Sequence, residues 1–206
     1  ALDISSDGIV YFTDASSKYE QTEYLYDLLE AKPHGRFLSY NLNTGETKLL
    51  VDNLYFANGV ALSQDEDFVL VNETYRYRIL RYWLKGPKAG THDIFIDNLP
   101  GFPDNITSNG KGKFWLALFT VRNDDIDSLH VSPFLKKQMS KLPKSMWPKP
   151  KPYGLVLALN EQGVITQSLH EPTGQHLKEI TSAREHQGYL YLGSLHNDRI
   201  GKYKLP

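Results

Sequence analysis

The sequence predicts an all-β chain made of propeller blades, and three observations lead there. Runs of alternating apolar and polar residues recur along the whole chain, each pair joined by a short polar turn, which is the pattern of antiparallel hairpins. The repeat returns about every 40 to 50 residues with two hairpins in each copy, the length and content of a propeller blade. Aromatic residues make up 12% of the chain, and Gly and Pro punctuate the runs; both features favour sheet over helical bundle.

One kind of hairpin is centred on polar turns near residues 7, 66, 110 and 187. Gly8-Ile9-Val10-Tyr11-Phe12 follows the first, Phe68-Val69-Leu70-Val71 the second, Lys113-Phe114-Trp115-Leu116-Ala117-Leu118 the third and Tyr189-Leu190-Tyr191-Leu192 the fourth. Between them lies a second kind. Arg36–Tyr40 turns at Asn43-Thr44-Gly45 into Thr47–Val51, Arg78–Trp83 turns through Gly86–Gly90 into Asp93–Ile96, and Gly154–Leu159 turns at Glu161-Gln162-Gly163 into Val164-Ile165-Thr166. Two of the three gaps between these turns are longer than one period. The surplus falls at residues 17–33 and 122–152, where apolar residues sit at near-helical spacing (Tyr24, Leu25, Leu28, Leu29; Phe134, Leu135, Met139, Leu142). These are read as helical insertions in a single propeller unit over residues 1–206.

Four units fit, and the last ends on a third strand, Ile200–Lys204. A closed propeller hides its edges by borrowing the missing strand from the other end of the chain. Ala1 already opens into an inner strand, so the expectation is the C-terminal blades of a larger propeller whose N-terminal blades are missing. A four-bladed propeller is the alternative.

Composition narrows the partners. With 206 residues, 40% hydrophobic, 23% charged and a net charge of −1, the chain has the balance of a soluble globular domain. Near-neutral charge argues against nucleic acid as the partner, which needs clustered Lys and Arg. No cysteine is present, so there is neither a disulfide framework nor a thiolate metal site. No apolar run approaches the roughly 20 residues that span a bilayer.

The stretch 54–112 carries the most chemistry. Asn58 in ANGVALS and the pair Asp104-Asn105 in GFPDNI stand at matched positions at the mouths of strands. Turn formation is the plain reading of such residues, because Asn and Asp tolerate special backbone angles and bond their own backbone.

The words YFTDASS, DNLYFANGVALS, FVLVNET, RYRILRYWLKGP, NLPGFPDNI and REHQGYLYLGSL, in that order, resemble the strictosidine synthase-like family, which is related to paraoxonase and gluconolactonase propellers. The resemblance runs from Ala1 to Leu205. It implies a six-bladed β-propeller, with this chain covering about four C-terminal blades, in a protein that is secreted, periplasmic or membrane-anchored.

Fold does not fix the reaction. The glutamate that acts on the amine in strictosidine synthase falls at Thr181 here, and a threonine hydroxyl does not titrate near neutral pH. Glu179, two residues away and on the same face of a regular strand, would have to take that role in a carbon–nitrogen lyase. The paraoxonase and gluconolactonase branch implies a divalent ion in the channel, usually Ca²⁺. Asn58, Asp104 and Asn105 match its ligand positions, and further ligands are expected upstream of Ala1. Hard cations take such oxygen donors from separate segments.

The leading expectation is therefore a calcium-dependent arylesterase or lactonase acting on a small hydrophobic molecule, with a non-catalytic ligand- or partner-binding propeller as the rival. Asp104, His176 and Glu179 are the candidate catalytic groups, and Asp14, His34, Thr181 and His196 the candidate pocket residues. Surface or turn roles compete for the histidines and capping for Asp14. Glu73 with Arg76 or Arg78 reads as an exposed ion pair on a blade strand, of small energetic weight. Trp83 and Trp115 read as blade packing. Asn72-Glu73-Thr74 and Asn105-Ile106-Thr107 are glycosylation sequons that matter only in a secreted eukaryotic protein. The 122–152 insertion, rich in Lys toward its end, is expected to cover the pocket entrance as a lid. Membrane association, through that insertion or a segment upstream of Ala1, is the competing reading.

Overall fold

A computed structural model describes the backbone of residues 1–206 and all side chains except that of His130. Four antiparallel sheets are laid down in chain order. The first comprises β1 (Leu2–Ile4), β2 (Ile9–Asp14), β3 (Gly35–Asn41) and β4 (Thr47–Leu54). The second comprises β5 (Ala57–Leu62), β6 (Phe68–Glu73), β7 (Arg78–Trp83) and β8 (His92–Ile96). The third comprises β9 (Gly101–Ser108), β10 (Lys113–Val121), β11 (Gly154–Asn160) and β12 (Ile165–Glu171). The fourth has three strands, β13 (Ile180–His186), β14 (Tyr189–Ser194) and β15 (Gly201–Lys204). Strands pair with their sequence neighbours in each sheet, and β1, β5, β9 and β13 lie side by side in that order. The sheets are thus consecutive propeller blades with those four strands innermost.

Burial shows why the blades stack. The cores lie between blades rather than within them: Phe37, Val51, Val69 and Leu80 join the first two, Leu70, Ile79, Phe114 and Leu157 the middle two, and Trp115, Ala158, Ile180 and Leu190 the last two. Trp115 is fully buried there, as the packing reading expects, and its indole N–H donates to Glu185 Oε2 at 2.7 Å.

Passage from blade to blade uses a repeated word, Asp-Asn-Leu. The side chains of Asp52 and Asp97 accept the next residue's N–H at 2.7 Å, Asn53 and Asn98 take left-handed backbone angles, and Leu54 and Leu99 are then buried. Asn tolerates that conformation because its short polar side chain bonds locally.

A second repeat positions the site. In β5, β9 and β13 the register slips by one residue at the strand entry, between Ala57 and Val60, between Pro103 and Ile106, and between Ile180 and Ser182. Each slip is a β-bulge, which bends the strand and re-aims the side chains it contains. Asn58, Asp104, Asn105 and Thr181 all lie in these bulges.

Both insertions rise on the same side. The first forms α1 (Tyr24–Glu30) after a short 3-10 turn, and the second forms α2 (Asp124–His130) and α3 (Pro133–Met139). Asn123 and Ser132 cap the second and third helices through their side-chain oxygens. Lys136 Nζ donates to the Glu30 carbonyl at 2.9 Å, Lys144 Nζ to the Thr22 carbonyl at 3.3 Å, and Trp147 meets Tyr26 edge-on at 5.3 Å. Two lysines of the Lys-rich second insertion thus tie it to the first. Among the described residues, no helix is long and apolar enough to cross a membrane.

Candidate functional site

Between the bulged strand ends and the insertions lies a cavity of about 510 Å³. Its floor holds Asn58, Thr74 and Asp104; aromatic walls come from Phe56, Tyr75, Phe102 and Phe119; the roof comes from Tyr19, Tyr24, Leu25, Asp27 and Leu28 of the first insertion and Ile126, Pro148 and Pro150 of the second. This is the usual size and character of a small-molecule site, mostly apolar with a few convergent polar groups.

The floor is held by hydrogen bonds between blades. Asn72 Nδ2 donates to the Asp104 carbonyl at 2.6 Å, the Thr74 hydroxyl to the Pro103 carbonyl at 2.7 Å and the Thr13 hydroxyl to the Asn58 carbonyl at 2.5 Å. Asn105 Nδ2 donates to Asp104 Oδ1 at 3.1 Å and to the Thr181 carbonyl at 2.8 Å. Gly59 makes this approach possible: a Cβ there would stand 2.6 Å from Asn72 Nδ2, the Asp104 carbonyl oxygen and the Ile106 nitrogen. The turn reading of Asn58-Gly59 is therefore corrected. Neither residue takes a positive φ, and the glycine answers a steric need where β5 and β9 nearly touch.

Burial pushes the Asp104 carboxyl up to about 7, with the Asn58 amide pulling the other way. A carboxyl in that range exchanges its proton near neutral pH.

Of the residues singled out in the sequence, Asp14, Asn58 and Asp104 line the cavity, and Asn105 is bonded to Asp104 just beside it. Asp14 is held by Arg36, with Nε at 3.0 Å and Nη2 at 2.5 Å. His34, His176, Glu179, Thr181 and His196 do not line it. His34 Nε2 lies 3.0 Å from Glu30 Oε2, and His176 is exposed in the loop before β13. Glu179 Oε2 is bonded to His196 Nδ1 at 2.5 Å. The same-face argument for Glu179 and Thr181 fails for a local reason: Glu179 precedes β13 with φ of +52°, and the bulge breaks the two-residue alternation.

Two other sequence readings change. Glu73 is fully buried, not exposed; its carboxylate accepts from Arg78 Nε at 2.5 Å and from the Tyr55 N–H at 2.8 Å. Asn72 of the first sequon is also fully buried, so the folded blade leaves no room for a glycan there.

One cavity residue escaped sequence reading. Asp27 interrupts the apolar stripe of α1 and was absorbed into the helical pattern. It is 1% exposed and neither carboxyl oxygen has a hydrogen-bond partner. The available signal was a lone carboxylate between Tyr24 and Leu28 on a face otherwise meant for burial.

Comparison with known proteins agrees with this architecture. The family model described as Strictosidine synthase matches residues 1–87. Adipocyte plasma membrane-associated protein of Rattus norvegicus is 42% identical over 211 residues, covering 99% of this chain and 56% of that protein. Protein STRICTOSIDINE SYNTHASE-LIKE 10 of Arabidopsis thaliana is 36% identical with the same two coverages. The chain thus spans about half the length of the curated relatives it matches. Among solved structures, a gluconolactonase from Xanthomonas campestris superposes with a TM-score of 0.62 at 15% identity, over 100% of this chain and 56% of that one. A calcium-binding protein, regucalcin, from Agrobacterium tumefaciens gives 0.60 at 13% identity, over 96% and 53%. At those identities the structural likenesses speak for the fold alone. The sequence relatives at about 40% identity and the matched family model go further: this chain belongs to the strictosidine synthase-like family.

Proposed function

We propose that the cavity is the working site of a calcium-dependent esterase or lactonase acting on a small hydrophobic ester or lactone. The observation that carries the reading is the pairing of Asn58 and Asp104 on the floor of a mostly apolar cavity. The donor set fits a hard cation. Asn58, Asp104 and Asn105 would hold Ca²⁺ through side-chain oxygens, and both amides already donate through nitrogen, which leaves their oxygens available. Three donors fall short of the six to eight that calcium takes, so water and substrate would complete the shell. When bound, the ion would polarise the carbonyl and stabilise the negative charge developing on its oxygen.

The protein's own residues supply the rest. Phe56, Tyr75, Phe102 and Phe119 give an apolar substrate a dry surface to bury. Burial holds the Asp104 carboxyl at about 7 in the ion-free protein, so calcium binding would release its proton and leave Asp104 as an ionised ligand. The gluconolactonase and the calcium-binding regucalcin among structures of the same fold support the reading. A carbon–nitrogen lyase has less support, because Glu179 is engaged with His196.

The test uses the full-length protein. Hydrolysis of phenyl acetate and of simple aliphatic lactones is expected to stop on chelation and return with added calcium. Asp104→Ala is expected to weaken calcium binding by at least about tenfold. Turnover indifferent to chelation sinks the metal mechanism. Absence of turnover on both substrate classes, with ligand still bound, favours the non-catalytic binding propeller.

A further inference from the structure

The second insertion turns one face inward and leaves the other bare. Inward, Lys136 Nζ and Lys144 Nζ donate to carbonyls of the first insertion. Met139 and Trp147 line the apolar seam there with Leu25 and Leu29 of α1. Outward, Val131, Phe134, Leu135, Leu142 and Met146 are all exposed. Single exposed apolar residues are ordinary on a protein surface, but five gathered in one short segment mark a contact face.

Charge sets the same segment apart. Residues 131–152 hold six Lys and no Asp or Glu, in a chain whose net charge is −1. The acidic residues of the insertion, Asp124, Asp125 and Asp127, all stand earlier, in α2. Lys136 and Lys144 are used by the tethers. Lys137, Lys141, Lys149 and Lys151 are exposed and make no ion pair among the described residues. Backbone bonds carry the turn of α3 on through Leu142. Lys137 follows Phe134 by three residues and Lys141 by seven, so their ammonium groups run beside the apolar stripe.

An apolar stripe flanked by free ammonium groups is the combination that an anionic bilayer surface takes up. Other occupants match only half of it. A second copy of the chain would set lysines against lysines, and a polyanion would leave Val131 and Phe134 in water.

We propose that the outer face of residues 131–151 docks on the surface of an anionic lipid bilayer. Its apolar side chains enter the boundary between headgroups and acyl chains, and its four free lysines meet the lipid phosphates. Pro148 and Pro150 of the same segment line the cavity, so docking sets the cavity roof beside the lipid. The inference concerns the outside of the roof and stands apart from the hydrolase reading, which concerns the floor.

Co-sedimentation of the full-length protein with phosphatidylcholine vesicles, with and without phosphatidylserine, tests it. Phosphatidylserine is expected to raise partitioning at least about tenfold, and added salt to reverse most of that gain. Val131→Ser combined with Phe134→Ser is expected to lower binding to the phosphatidylserine vesicles by at least about tenfold. Lys137→Gln combined with Lys141→Gln is expected to remove most of the preference for phosphatidylserine. All four positions are exposed, and thermal unfolding checks that both variants stay folded. No vesicle binding by the wild type, binding indifferent to phosphatidylserine, or binding that both folded variants retain overturns the proposal; the last result assigns the membrane contact to another segment. Dependence on the lysines alone identifies a polyanion surface and also overturns it. Self-association lost in the Val131→Ser, Phe134→Ser variant, without vesicle binding, identifies a second copy as the occupant and overturns it likewise.

Discussion

On the floor of the cavity, the polar side chains are fixed by the backbone of neighbouring blades. Asn72, Thr74, Thr13 and Asn105 each donate to a carbonyl across a blade boundary. In the roof, the contacts are fewer and of another kind: long lysines reach single carbonyls and one Trp–Tyr pair closes the seam. The roof also leaves Val131 83% exposed and Phe134 69% exposed, whereas the innermost blade contacts are dry. Geometry at the floor is therefore set by sheet formation itself, and geometry at the roof by a small number of tethers. A site needs both, because a pre-set floor fixes reacting groups and a separable roof selects what enters.

If that contrast holds, the largest loss should come from breaking the floor's most buried charge. Glu73 is fully buried and serves both Arg78 and the Tyr55 N–H. Glu73→Ala would strand two donors beneath the blade junction and is expected to cost about 3 kcal/mol, the lower end for a broken buried pair because Arg78 keeps some water. Chemical denaturation measures this directly. A loss under about 1 kcal/mol, the size of a surface pair, would erase the distinction between floor and roof.

A steric variant of the same test comes next. Gly59→Ala places a methyl 2.6 Å from two backbone atoms and Asn72 Nδ2. The backbone cannot yield cheaply, so about 2 kcal/mol is expected from overpacking. Because the displaced atoms belong to Asp104 and Ile106, calcium affinity should fall with stability. A variant that loses stability while binding calcium like the wild type would show that the floor bends without moving its ligands.

The same contrast governs what the sequence could reveal. Period-two alternation and polar turns place the strands, since blade packing buries one set of side chains and exposes the other. Asn58 and Asp104 were legible because the strand-mouth position recurs with an amide or carboxyl side chain in two successive blades. Glu179 was not, because one left-handed residue and one bulge overturn any argument from strand parity. The helical spacing of the first insertion was visible, yet it hid Asp27. Periodicity reports which face is buried; it does not report what that face encloses. Glu73 was misjudged for the related reason that charge pattern along a strand carries no information on the neighbouring blade.

The smallest expected effect belongs to the roof and reads its tethers through pH. Glu30, on α1, accepts from Lys18 Nζ at 2.7 Å and the Tyr19 hydroxyl at 2.9 Å and sits 3.0 Å from His34 Nε2. Burial would raise its carboxyl, but the surrounding donors outweigh it and hold the value at about 2, against 4.5 unperturbed. A carboxyl lowered on folding binds fewer protons in the native state than in the unfolded one. Its contribution is thus present above 4.5 and is lost as pH falls toward 2. Since the Glu30 side chain is 20% exposed and Lys18 45%, solvent screening keeps that contribution to roughly 1–2 kcal/mol. Glu30→Gln should remove it, so the stability difference between wild type and variant should shrink steadily across that acid range and be steady at neutral pH. Amide exchange should then show α1 opening more readily in the variant while β5 and β9 keep their protection. Parallel acid limbs for the two proteins, or equal loosening of floor and roof, would mean that the insertion is part of the blade core and not a separable cover.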